Sequence, residues 1–559
     1  MADMAHEKPL QFQSCAPPYS FYELRDRLFE AASTSSEAFH RFLSLMRIVG
    51  ATAFLEQELS VQEDIELEYE MRSTSSRCHG EVSFKAHRLI FAWIDEADAA
   101  TVDATSLDDD HFVGYCTIVQ LTLPDGMIHT YVFEAIVRPP GRPRFEPKFI
   151  VRSLSPYYYF HCTKTFAFEI PGRKNPITIQ GSFFTQQNKL THVCAHAAIR
   201  IALNSSSAFT SKTKLTNRHI NEILGLTFEK PESFIGTYSR DKQVKPTRET
   251  GLTKEEIIRV IELFGLATIL DCQRNTNIEY DHFAYPYMES GWPVLVGLEG
   301  TDFNTGEQLR HVVSILGHTL NPFQWSPLAR RGYGTLPRMD YLSAVEWTDH
   351  FIISDEGFGM YQTLQSDSIR NIIVPAKNAS LHATFVVAIT PKEVTFPGWQ
   401  AESIAANMIR NFVSPARRNH FRGWFKRLSD CPNMVCRTLW VTRDEHRREL
   451  ATHDDFHKFE QSTIEYLDQL PQAFWVTEIS MPPLYCANGK KLGEVIIRCD
   501  GDHTQMKMED AWNHVAMLWL PGVALFRLPS KDLISISWPI RSPAYMIRAR
   551  RTEQFGPHD

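Results

Sequence analysis

Near the N-terminus, apolar residues return every three or four positions: Phe39, Phe42, Leu43, Met46, Val49 and Phe54. That is the period of a helix, and the serines just ahead suit capping. A helix is therefore predicted from Ser36 to about Gln57, with a shorter one before it over Phe21 to Ala32. The period then drops to two. Ile65, Leu67 and Tyr69 alternate with Asp64, Glu66, Glu68 and Glu70, which predicts a half-buried strand with an acidic outer face. From Val82 to about Pro176 the pattern stays β-like, with strands over Leu89 to Ile94, Val113 to Leu123 and His129 to Val137. Pro124-Asp-Gly-Met127 reads as a hairpin turn, and the proline-rich run Pro139 to Pro147 as a loop.

From Ile179 on, helices come first and strands follow. An Ala-rich apolar run after Cys194 predicts a buried helix. Thr216 is placed to cap the next helix, and Thr253 with Glu256 forms a capping box for the one after, which Gly265 ends. Strands are predicted at Ala267 to Leu270, Val294 to Leu298, His311 to Gly317 and Phe351 to Ser354. Beyond Lys392, helices over Ala401 to Phe412 and Asp455 to Leu470 alternate with strands over Arg437 to Thr442, Ala473 to Ile479, Leu492 to Arg498 and Val515 to Arg527. The fold class expected is α+β. Four units follow: a helical region over 1–80, a β-rich domain over 81–178, a middle domain over 179–392, where the candidate chemistry described below lies, and an α+β domain over 393–559.

Composition narrows the function. At 559 residues the chain is too long for one ordinary core. A net charge of −8 gives no general attraction to nucleic acid or anionic membrane. The basic aromatic run Arg417 to Arg427 is the one exception, and it reads as a cationic helix face before it reads as an RNA contact. No apolar stretch is long enough to span a bilayer. The ten cysteines are scattered, which points to reduced thiols and a cytoplasmic location. Cys431 and Cys436 read as core. No Gly-rich phosphate loop and no zinc-spaced cysteine pair occurs, so no cofactor and no metal is expected. His192, Cys194 and His196 alternate at a loop-to-helix junction, where side chains two apart do not converge on an ion.

The candidate chemistry begins at Cys194. A cysteine in the first turn of a buried helix meets unpaired N–H groups and the positive end of the helix dipole. His311 opens one strand and Asp355 ends another. If those strands pair antiparallel, the start of one lies beside the end of the other, so His311 faces Asp355. Asp349, at the far end of a strand of about five residues, would lie roughly 15 Å away. Asp355 is the preferred orienting acid, with His350 as the fallback base. A thiol, an imidazole and a carboxylate so arranged can perform nucleophilic acyl chemistry, and a glutamine ahead of the cysteine can donate to the oxyanion. The long connection from Thr319 to Asp349, with Arg330-Arg-Gly-Tyr-Gly334, is a lid or a partner-binding insertion.

Together these pieces resemble the papain-fold cysteine peptidases, nearest to the bacterial double-glycine (bacteriocin-processing) branch. The resemblance covers about 200 residues and rests on Gln187, Cys194-Ala-His-Ala-Ala, Gly291-Trp-Pro-Val-Leu-Val-Gly-Leu, His311-Val-Val-Ser-Ile-Leu-Gly and Phe351-Ile-Ile-Ser-Asp355. It implies a helix carrying the nucleophile Cys194, packed on an antiparallel sheet carrying the base His311 and the acid Asp355. It also implies an oxyanion donor at Gln187 or, one residue earlier, Gln186. The expected activity is hydrolysis of a peptide or isopeptide bond in a protein or peptide substrate. A transglutaminase-like acyl transfer on the same triad, or a catalytically silent scaffold, would use the same residues differently.

Overall fold

The computed structural model describes residues 12–546, apart from 16–20, 29–32, 35–36, 79–81, 95–101, 103, 141–157, 171–172, 189–193, 208, 210–213, 226–251, 272–278, 307, 321–329, 332–339, 367–371, 375–378, 414–422, 432, 500–511 and 529–531. Helices combine with three large, mainly antiparallel sheets in an α+β architecture.

The first sheet runs in the order Gln13–Ser14, Ala53–Leu59, Ser83–Ala92, Phe112–Thr122, Ile128–Val137, Ile177–Phe184, Lys164–Phe168. The boundary expected near residue 80 runs through this sheet, because Ala53–Leu59 pairs with Ser83–Ala92. The helix predicted to reach Gln57 stops at Ile48. Gly50, at φ 76°, donates to the Arg47 carbonyl while Ala51 donates to that of Met46. This is a Schellman stop, and Phe54 is buried from a strand instead. The acidic strand predicted at 64–70 is a helix, Ile65–Cys78. Asp64 Oδ1 accepts from the Glu66 and Leu67 N–H groups at its start. Its buried side chains are Leu67, Glu70, Ser73 and Thr74, at helical spacing, while Ile65 is 63% exposed.

The second sheet runs Ala267–Asp271, Ala379–Thr390, Val294–Asp302, Gln308–Thr319, His350–Asp355, Gly359–Gln365. Tyr158–Phe160, from the predicted β-rich domain, also pairs with Gln308–Thr319. The helix Cys194–Ser205 packs on this sheet through Ala195, Ala198, Ile199 and Ala202, which meet Leu295, Val312 and Val387. Small alanines let the helix come close, and Ser314 Oγ donates to the Ala198 carbonyl at 2.9 Å. Both predicted caps are in place: Thr216 begins Asn217–Leu224, and Thr253 with Glu256 closes a full capping box on Lys254–Leu263. A further helix, Tyr280–Glu289, has Pro286 inside it.

The third sheet runs Arg330–Arg331, Asp340–Ser343, Met434–Thr442, Ala473–Ser480, Gly493–Arg498, Val515–Leu520, Val523–Arg527, Leu533–Ser537. The strand predicted from Val515 to Arg527 is a hairpin that turns at Gly522, φ 86°. The helix predicted over Asp455 to Leu470 is broken into a short turn, Phe456–Lys458, and Gln461–Asp468. The described part of the expected lid is core. Asp340–Ser343 pairs parallel with Met434–Thr442, and Trp347 is fully buried. Gly332-Tyr-Gly334 lies outside the described residues, as do His192, Cys272 and most of the basic run Arg417 to Arg427. Within that run's described end, Arg427 lies over the Trp424 ring.

One core joins the second and third sheets, taking in Tyr287, Trp292, Val296 and Ile353 with Trp475, Val495 and Leu518. The core of the first sheet reaches Ile201 on the Cys194 helix and Leu316 and Met360 on the second sheet. Among the described residues, no helix is long and apolar enough to cross a membrane.

Candidate active site

His311 lies inside its strand rather than at its start, since Gln308–Thr319 begins three residues earlier. Its neighbour on the other side is the strand expected. Gln308–Thr319 pairs antiparallel with His350–Asp355, with Ser314 opposite Ser354 and His318 opposite Phe351. One step further puts Asp355 beside Val313, diagonal to His311 on the same face of the pair. The side chains meet: His311 Nε2 and Asp355 Oδ2 are 2.7 Å apart.

The Asp355 carboxylate is held from both ends. The chain turns tightly after it toward Gly359–Gln365, and the N–H groups of Gly357 and Phe358 donate to Oδ1 at 2.7 and 3.0 Å. Burial alone would raise its pKa, but His311 and these two donors hold it below the ordinary carboxylate value. Burial likewise opposes a charged imidazole at position 311. The Asp355 carboxylate outweighs it, helped by a side-chain hydrogen bond that the charged ring donates to Cys194, and keeps His311 well above its usual range.

Cys194 is the first residue of its helix and is partly exposed. Its Sγ, a ring nitrogen of His311 and a carboxylate oxygen of Glu356 lie within 4.8 Å of one another. The helix's first N–H groups have no partner within the helix, which leaves donors beside the sulfur. Cys15, Cys116, Cys162 and Cys436 are instead buried thiols whose pKa burial raises.

The two glutamines divide. Gln186 is tied into the first sheet, where its backbone N–H donates to the Val132 carbonyl and its Oε1 accepts from the Val132 N–H. Gln187 reaches the site and donates from Nε2 to Glu356 Oε1 at 3.0 Å. The loop behind it is anchored by Asn188, which donates to Glu70 Oε1 at 2.7 Å and to Thr74 Oγ1 at 3.2 Å. The polar buried stripe of Ile65–Cys78 thus secures the segment that carries Gln187.

Glu356 is the site residue that sequence reasoning passed over. It follows Asp355 in the turn, is 4% exposed, and has Oε1 3.7 Å from His311 Nδ1. The only signal in the chain was a second acid next to the first, and strand register singles out Asp355 alone. The competing histidines are elsewhere. His196 is buried with Nε2 3.0 Å from Asn221 Oδ1. His318, expected beyond its strand, is inside it and buried, with Nε2 3.1 Å from Glu289 Oε1. His350 and Asp349 stand at the opposite end of the Asp355 strand.

No protein-family model matches this chain, and no curated protein matches it.

Proposed function

We propose that the protein is a thiol hydrolase, a papain-like cysteine peptidase acting on a peptide or isopeptide bond, with Cys194 as nucleophile. The observation that carries this reading is the hydrogen-bonded series Cys194, His311, Asp355 at the mouth of a helix. His311 is held by Nε2 on Asp355, which leaves Nδ1 as the nitrogen for the sulfur.

His311 takes the thiol proton, and the sulfur attacks the carbonyl carbon while the C=O π pair moves onto oxygen. The Cys194 backbone N–H meets that oxyanion, together with the second hydrogen of the Gln187 amide, whose first is engaged by Glu356. The imidazolium then protonates the leaving amine, the C–N bond breaks, and a thioester remains. Water, deprotonated by His311, attacks the thioester and releases the acid and the thiol. Asp355 stays charged throughout and steadies the imidazolium.

The test is hydrolysis of a peptide library together with alkylation by a thiol-directed electrophile. Cys194→Ala should remove hydrolysis while leaving the circular dichroism spectrum unchanged, and label should concentrate on Cys194. Equal labelling of Cys431 would count against the assignment. A second reading, transfer of the acyl group to an amine, draws on the Glu356 carboxylate near the sulfur, which would hold the acceptor as its ammonium until His311 takes a proton and the neutral amine attacks the thioester. A product heavier by the amine distinguishes the two.

A further inference from the structure

We infer that the site binds a zinc ion through Cys194 Sγ, His311 Nδ1 and the Glu356 carboxylate, and that zinc reversibly blocks the nucleophile. The binding stands on the geometry and charge of the donor set. The inhibition rests on the hydrolase reading above.

Three observations converge. The three ligand atoms already lie within 4.8 Å of one another, and His311 Nδ1 is 3.7 Å from Glu356 Oε1. Ligand atoms around tetrahedral zinc stand roughly 3.3–3.7 Å apart, given Zn–S, Zn–N and Zn–O bonds of about 2.0–2.3 Å. Next, Asp355 at 2.7 Å from Nε2 makes the carboxylate–histidine pair that orients a metal-binding imidazole and sets Nδ1 as its ligand. Finally, with the thiol and Glu356 ionised, a sulfur and two carboxylates lie about one imidazole among the described residues, a donor set that attracts a cation. A peptidase triad needs only Asp355; Glu356 adds a second negative charge on the sulfur side, where a substrate carbonyl would gain nothing from it.

Sulfur, nitrogen and oxygen donors suit zinc, and neither magnesium nor calcium favours such a set. Three protein ligands leave the fourth position to water on the side where substrate would enter. On binding, the thiol proton is released, His311 is neutral, and the sulfur lone pair that would attack a carbonyl is held by the metal.

Zinc would be titrated into the chelator-stripped full-length protein in competition with a chromophoric chelator. The expected result is a tight site that weakens at least 100-fold in Cys194→Ala and about 10-fold or more in Glu356→Gln, whose amide keeps the shape but loses the charge. Cobalt in place of zinc should give a near-ultraviolet thiolate-to-metal absorption in the unsubstituted protein. Zinc should also slow alkylation of Cys194 itself, read by peptide mass mapping. No cobalt band, or unchanged affinity in Glu356→Gln, overturns the site. Zinc should abolish peptide hydrolysis, and chelator should restore it. Hydrolysis that persists with the site filled overturns the inhibition. A metal-free protein that hydrolyses nothing yet shows the cobalt band would end the hydrolase reading and leave the metal site standing.

Discussion

His311 is where the chemistry can be read most directly through pH. Its folded pKa lies above the ordinary 6.5, so its contribution to stability is complete below 6.5 and is lost as pH rises through the raised value. Asp355 lies below its ordinary 3.8, so its contribution is present above 3.8 and is lost as pH falls through the lowered value. The pair therefore stabilises the fold between those limits and weakens it outside both. If the active form is imidazolium with thiolate, activity declines on the alkaline side only as His311 gives up its proton, well above 6.5. Asp355→Ala removes the principal group holding that proton. The alkaline limb of kcat/KM should then move to lower pH, and kcat should fall on the order of 10²-fold or more. A limb that stays in place would show that the carboxylate does not set the imidazole's charge. Cys194, His311 and Asp355 could all be named in advance because each is a chemically distinctive residue at the end of, or within, a readable element. Glu356 could not, because a turn residue's direction is set by how the turn packs.

At the scale of elements, local signals worked where the hydrogen bonds are local. The capping box at Thr253 is present in both halves: the Glu256 N–H donates to Thr253 Oγ1 at 3.2 Å, and the Thr253 N–H donates to Glu256 Oε2 at 2.9 Å. Thr253→Ala should lower unfolding free energy by about 1 kcal/mol, measured in urea, and leave turnover at low temperature unchanged, since Ile257, Val260 and Ile261 still pack beneath the Cys194 helix. Two misreadings have plain causes. The helix over Ile65–Cys78 buries Glu70, Ser73 and Thr74, so its inner stripe is polar and a hydrophobic pattern passes over it. Ser73 donates to the Glu70 carbonyl within the helix, while Glu70 and Thr74 meet partners far along the chain, Asn188 and Tyr131. The helix ending at Ile48 was drawn too long because Phe54 continued the helical period, while Gly50 had already reversed the backbone.

Across the whole molecule, the second and third sheets are joined by buried charge as well as by apolar core. Arg437, from Met434–Thr442, pairs with Glu289 at 2.7 Å and with Glu478 at 2.9 Å, and Glu289 also meets His318 on the His311 strand. Burial disfavours each ion, but their mutual attraction keeps Glu289 well below and Arg437 well above their ordinary values. Arg437→Ala would remove the cation shared by two buried carboxylates, leaving Glu289 with His318 and Glu478 with Lys491. It should cost about 3–5 kcal/mol in thermal or urea unfolding, whereas a surface change such as Arg447→Ala, which breaks a pair with Asp468 at roughly half exposure, should cost under about 1 kcal/mol. Equal effects would mean that the buried pair does not hold the sheets together. The first sheet is tied in by Tyr361, which donates to the Val137 carbonyl at 2.8 Å and accepts from the Ser182 N–H at 3.0 Å. Neither tie could be foreseen: Arg437 and Glu289, like Tyr361 and its partners Val137 and Ser182, lie more than 140 positions apart, and nothing in the local pattern of either partner specifies the other.

The order of residues alone determined the helix that begins at Cys194, its capped neighbours, the strands that carry His311 and Asp355 and, on the condition that those two strands pair antiparallel, the choice of Asp355 over Asp349. Those features follow from hydrogen bonds and side-chain periods that close within a few residues, or from the register of two strands. Only the tertiary structure decided that Gln187 rather than Gln186 reaches Glu356 in the site, that Glu356 stands beside the sulfur, and that the connection after His318 is core of another sheet. Each of those outcomes depends on which distant surfaces are buried together, and burial is a property of the packed whole.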